Sequence, residues 1–259
     1  TNTKTKKMIV GILTLFMSLF GVGSTDVFYM DKIEEGIKKE VKDKDRKKDL
    51  QNILKDYKKT AKEFNKARTK QLKDLKQKNL ESSTSEEWYV EFYESRMEER
   101  IELEKTFIEQ RIALQEEITD EEWAAIISRS MDASAKLEEK EEKKESKKKD
   151  KNAFAVQEKT IVENVSDQDR RMVLLDALSV FEATYDNIHE AYDNINVNDT
   201  EFLTDKYATA EDMLILAEKL NEQRLILYKG NTVFLMVMQE YATEEEWKPI
   251  MKAYNKLLE

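Results

Sequence analysis

The chain has no cysteine, one proline, one histidine and five glycines in 259 residues. Without cysteine there is no disulfide, no thiolate metal site, no cysteine nucleophile and no lipid anchor of the bacterial lipoprotein type. Three of the glycines, Gly11, Gly21 and Gly23, lie in one N-terminal apolar segment. Sheets and phosphate-cradling loops use glycine and proline at their turns, so this scarcity predicts long helices joined by few, polar turns. There is also no glycine-rich phosphate loop, no nucleophile elbow and no His-Glu-x-x-His string. His189 follows Asp186 with helical spacing, but a helical two-metal site needs a second such pair, and Asn65 stands at the matching place. No catalytic, cofactor-binding or metal-binding residue is assigned, and the chain is read as non-enzymatic.

Charge, by contrast, is abundant, at 38% of residues and a net of −10. Residues 31–80 carry 18 Lys/Arg against 10 Asp/Glu, residues 81–135 carry 5 against 16, and residues 161–259 carry 9 against 20. The two acidic segments argue against nucleic acid as a partner, because phosphate binding needs a basic face. The basic stretch either lies near anionic lipid headgroups or packs on the chain's own acidic helices, and the second is the plainer expectation.

Lys4, Lys6 and Lys7 precede the apolar segment MIVGILTLFMSLFGVGSTDVFYM, residues 8–30. A basic start, an apolar middle and small residues at Gly21, Gly23 and Ser24 fit a cleavable signal peptide. With Phe28 and Tyr29 at the interface, the segment equally fits an uncleaved signal anchor, and this reading is preferred. Asp26, near one end, reads as interfacial. The N-terminal lysines favour an exported body, extracytoplasmic and periplasmic in a bacterium; the alternative is a soluble, secreted or periplasmic protein released by cleavage.

Shifted by 124 residues, the chain matches itself without a gap. Residues 98–127 lie over 222–251 with eleven identities in 30 positions, and VKDKDR at 41–46 lies over VSDQDR at 165–170. A constant offset over so long a stretch predicts two related units. Leu174, Leu178, Phe181, Tyr185, Ile188, Tyr192 and Ile195 form one helical stripe, echoed by Leu50, Leu54, Tyr57, Ala61 and Phe64. Second helices are expected over about 86–117 and 210–241, and a third follows in each unit. The fold is therefore expected to be all-α: two tandem three-helix units of long antiparallel helices, partly coiled-coil-like, after the N-terminal helix. The boundaries drawn are 1–30 for the anchor, 31–135 for unit 1, 136–160 for a charged linker and 161–259 for unit 2.

All three tryptophans end a Thr-x-Glu-Glu-Trp string: TSEEW at 84–88, ITDEEW at 118–123 and ATEEEW at 242–247. Clustered glutamates suit metals or proton transfer, but adjacent carboxylates on a helix start diverge around its axis. The pattern instead fits a capping box, Thr119 with Glu122 and Thr243 with Glu246, plus a hydrophobic staple from the residue before the cap to the tryptophan. Pro249 then falls early in the last helix. The TSEEW copy has Asp212 at its shifted tryptophan position and reads as an independent helix start.

Where the copies differ, Glu102, Thr106, Glu109, Gln110 and Ala113 become Ile226, Gly230, Val233, Phe234 and Val237. That spacing places one face of the second helix, polar in unit 1, as an apolar face in unit 2. Such a face is expected either to be buried within unit 2 or to bind a partner through Ile226, Val233, Phe234 and Val237. The partner reading gives a membrane-anchored scaffold or accessory subunit of a membrane-associated complex, with homo-oligomers included; the alternative is a soluble chaperone-like or ligand-binding protein.

Overall fold

The computed structural model describes residues 33–129, 153–198 and 201–258. The N-terminal segment 8–30, and residues 136–152 of the charged linker, lie outside the described residues. Among the described residues the chain is a helical bundle without strands, and no helix is long and apolar enough to cross a membrane.

The helices are α1 (Ile33–Glu40), α2 (Lys44–Lys78), α3 (Glu86–Glu117), α4 (120–129), α5 (Ala153–Asn164), α6 (Gln168–Asn198), α7 (Ala210–Tyr241) and α8 (Glu244–Leu257). A 3-10 turn, Glu201–Thr204, precedes α7. The 124-residue shift carries both ends of α3 onto both ends of α7, and the first residue of α2 onto that of α6. Among the described residues four helices lie on each side of residues 130–152, the short α1 and α5 being additional to those expected. Their signal is slight: Ile33, Ile37 and Val41 in one case, Phe154, Ile161 and Val165 in the other, all buried among charged neighbours. Helix α5 also claims residues 153–160, which the sequence assigned to the linker.

Local chemistry sets the helix starts. The Asp43 carboxylate accepts from the backbone N–H of Asp45 and Arg46 at 3.0 and 2.8 Å, and Asp167 accepts from that of Arg170 at 2.9 Å. Ser85, not Thr84, caps α3 by accepting from the Trp88 backbone N–H at 3.3 Å. Thr84 is buried, and its hydroxyl donates to the carbonyls of Lys78 and Glu81 to close the α2–α3 turn. TSEEW is therefore a helix start one residue out of frame with the other two strings, and Trp88 is only half-buried.

In the middle of the bundle α3 packs on α7, with α2 outside α3 and α6 outside α7. Every residue of the expected α6 stripe, from Leu174 to Ile195, is buried. Leu50, Leu54, Leu114, Trp123 and Ile126 share a core with α1, and Leu174, Leu178, Met238, Trp247 and Ile250 occupy the same places in the larger core. Trp247→Ala is expected to cost about 3–5 kcal/mol in urea unfolding, the usual loss for a fully buried tryptophan, and Trp88→Ala clearly less.

Candidate functional site

The two sequence echoes touch. The Arg46 guanidinium donates to both Glu122 carboxylate oxygens at 2.9 and 2.7 Å, and to the Glu117 carbonyl at 3.1 Å. Arg170 repeats this on Glu246 at 2.6 and 3.0 Å, and on the Tyr241 carbonyl at 2.9 Å. Both glutamates also complete the expected capping boxes: the Thr119 and Thr243 N–H groups donate to them at 3.1 and 2.8 Å. Each arginine–carboxylate pair therefore joins the start of one helix, the end of the one before it and the first turn of a third. The hydrogen bond from Arg170 holds Glu246 below the ordinary carboxylate value; burial pushes Glu122 up, but its bonds from Arg46 and Thr119 outweigh that.

An open cleft of about 450 Å³ adjoins the first clasp, lined by Arg46, Glu117, Thr119, Asp120, Glu121 and Lys206. Asp120 in it accepts from Lys206 at 2.6 Å and from the Tyr207 hydroxyl at 2.7 Å. The acidic string is thus occupied in holding protein groups together. Trp123 contributes as well, donating its indole N–H to the Thr204 carbonyl at 2.8 Å under the Arg111 guanidinium.

The α3–α7 contact is antiparallel and repeats itself across its centre. Gln115 donates to the Lys206 carbonyl, and Gln239, its counterpart in the second half, donates to the carbonyl of Ser82, the counterpart of Lys206. This reciprocity is the mark of a two-fold contact. At its centre the counterparts Arg100 and Arg224 both donate to buried Glu104, at 2.8 and 2.9 Å, and Asn221 adds a third bond at 2.7 Å. The two-fold is broken where Tyr228, the counterpart of Glu104, stacks on Tyr93 with ring centres 4.5 Å apart. Arg68 and Arg96 are buried close by, against the faces of Phe64 and Phe92. Burial first, and then the charge of Arg96, pushes Arg68 down to about 9.

Helix α7 carries the expected apolar face only in part. Ile226 and Val233 are 47% and 62% exposed. Phe234, one residue and about 100° further round the helix, is 2% exposed and stacks on Phe181 with centres 5.0 Å apart. It belongs to the core, a correction to its placement on the partner face. Val237 is half-buried, and Gly230 lies so close to α6 that a Cβ there would meet Thr184 at 3.2 Å. Ile215, 47% exposed and not expected, joins the row because its spacings of 11 and 18 residues to Ile226 and Val233 are near whole helical turns. The pairs Thr184–Gly230 and Phe181–Phe234 set α6 antiparallel to α7 and bring Val180, 67% exposed, level with Val233.

His189 is buried on α6. Among the described residues no group of three or more His, Cys, Asp or Glu side chains comes together as metal ligands. Comparison with protein-family models, with curated proteins and with solved structures finds no match.

Neutralising the central carboxylate should leave two buried arginines uncompensated. Glu104→Gln is expected to destabilise the chain by about 3–5 kcal/mol, whereas replacing Arg100, Glu104 and Arg224 together by leucine should cost far less. Chemical denaturation of the two variants checks both.

Proposed function

We propose that this chain is a non-enzymatic helical scaffold, an accessory subunit of a membrane-associated complex, held at the membrane by residues 8–30 and engaging a protein partner through α7. The body is assigned to the extracytoplasmic side, and the two halves are read as copies of one helical unit packed on each other as subunits of a dimer are. The halves' matching helix ends, matching arginine clasps and reciprocal glutamine contacts support that reading.

The observation that carries the binding role is that Ile215, Ile226 and Val233 are exposed on the outer face of α7, where Glu218, Glu222 and Lys229 are exposed beside them. Fully burying a side chain of this kind contributes about 1.5–3 kcal/mol, and these three have part of that still to gain, which favours a partner on this face. The first half has Glu102 and Glu109 where Ile226 and Val233 stand, so this face is confined to the second half.

A photo-reactive residue at Val233, in the full chain in its own cells, should give an interchain product that Ile226→Glu abolishes. A chain that crosslinks only within itself would contradict the reading.

A further inference from the structure

The outer faces of α2 and α6 occupy equivalent places on opposite flanks of the α3–α7 pair. Their charges are reversed. Lys58, Lys62 and Lys66 form a row four residues apart along α2, and the 124-residue shift puts Glu182, Asp186 and Glu190 at the same three places on α6. The lysine row continues with Lys55, Lys59, Lys70 and Lys73, all exposed. Among the described residues the basic stretch meets the chain's own carboxylates where Arg46 holds Glu122, Lys78 binds Glu81 and Lys58, the first of the row, reaches Glu34 of α1.

Like charges four residues apart destabilise the helix that carries them, unless something of opposite sign lies alongside. On the acidic row burial first, and then the charges of Asp186 and Glu158, push the Glu182 carboxyl up; Asp186 is pushed up by burial alone, against a lowering pull from His189. The α6 face of another copy offers carboxylates at the same four-residue spacing, exposed at Asp186 and Glu190 and half-buried at Glu182. Met172 and Val180, 51% and 67% exposed on α6, offer apolar footing for the lysine stems.

We propose that copies of this chain associate head to tail, the α2 lysine row of one lying along the α6 carboxylate row of the next. The contact is heterologous, since the two faces lie on opposite flanks of one molecule, and it adds copies in a row rather than closing a symmetric pair. A helix of 31 residues is about 46 Å long. One helix width of contact over that length falls at the low end of specific interfaces, so the association is weak and salt-sensitive.

The test is sedimentation velocity of the full chain in a non-ionic detergent, at roughly 20 mM and roughly 500 mM salt. At low salt the wild-type chain should show at least about twice its high-salt mass. The variant Lys62→Glu/Lys66→Glu has two acidic faces, and Asp186→Lys/Glu190→Lys has two basic ones. Each alone should remain a single chain at low salt, and an equal mixture should associate again. Equal wild-type masses at both salts would overturn the proposal, as would variants that associate alone or a mixture that does not.

Discussion

Everything in this molecule is arranged around a carboxylate that two arginines need. Arg100 and Arg224 reach the centre of the bundle from equivalent positions on α3 and α7, and Glu104 is the group that both of them bind. Two buried guanidinium groups sharing one counter-charge constrain the pairing of α3 with α7 at this point. A fully symmetric contact would have a second glutamate at Tyr228. The tyrosine there stacks on Tyr93, whose hydroxyl accepts from Asn231, and Asn231 in turn accepts from the Tyr254 hydroxyl. A charge has thus been exchanged for an aromatic and amide network on one side of the centre only.

Around that centre, the same small devices occur twice. An arginine from the first turn of α2 or α6 closes on the capping glutamate of α4 or α8, and a tryptophan one residue later fills the core beneath. The connector before α7 is anchored by the end of α3 and the start of α4, through Gln115, Asp120 and Trp123. The connector before α3 is anchored by Gln239 near the end of α7, and Asn79 by Asn255 of α8. Each half therefore completes the turns of the other, which ties the two together more firmly than apolar contact would alone. Further asymmetries lie in the core, where Phe234 and His189 are buried at the places of Gln110 and Asn65, and on the surface, where α7 exposes Ile226 and Val233 and α2 and α6 carry opposite charges.

Much of this was legible in the sequence because capping boxes and helical stripes are local. ITDEEW and ATEEEW announce Thr119, Glu122, Thr243 and Glu246 in their roles, and the stripe from Leu174 to Ile195 announces its buried face. Contacts between distant segments were not legible. Nothing in VKDKDR says that Arg46 will meet Glu122, although both strings repeat at the same offset. The short helices α1 and α5 escaped because two or three apolar residues in a charged background barely make a period. Phe234 was misplaced for a geometric reason: consecutive helical residues point about 100° apart, so Val233 and Phe234 cannot share both solvent and core. Ile215 lies before residues 222–251, the stretch where sequence similarity to residues 98–127 makes a changed face visible.

The central claim is that the two halves face each other across an antiparallel α3–α7 contact with two-fold reciprocity. Because the chain has no cysteine, single pairs can be introduced cleanly. Cysteines at Ser82 and Gln239, and in a second variant at Gln115 and Lys206, should each be joined within one chain by a short thiol-to-thiol crosslinker. Crosslinking of both pairs within the chain is the predicted result. Failure of both, or joining only between chains, would contradict it.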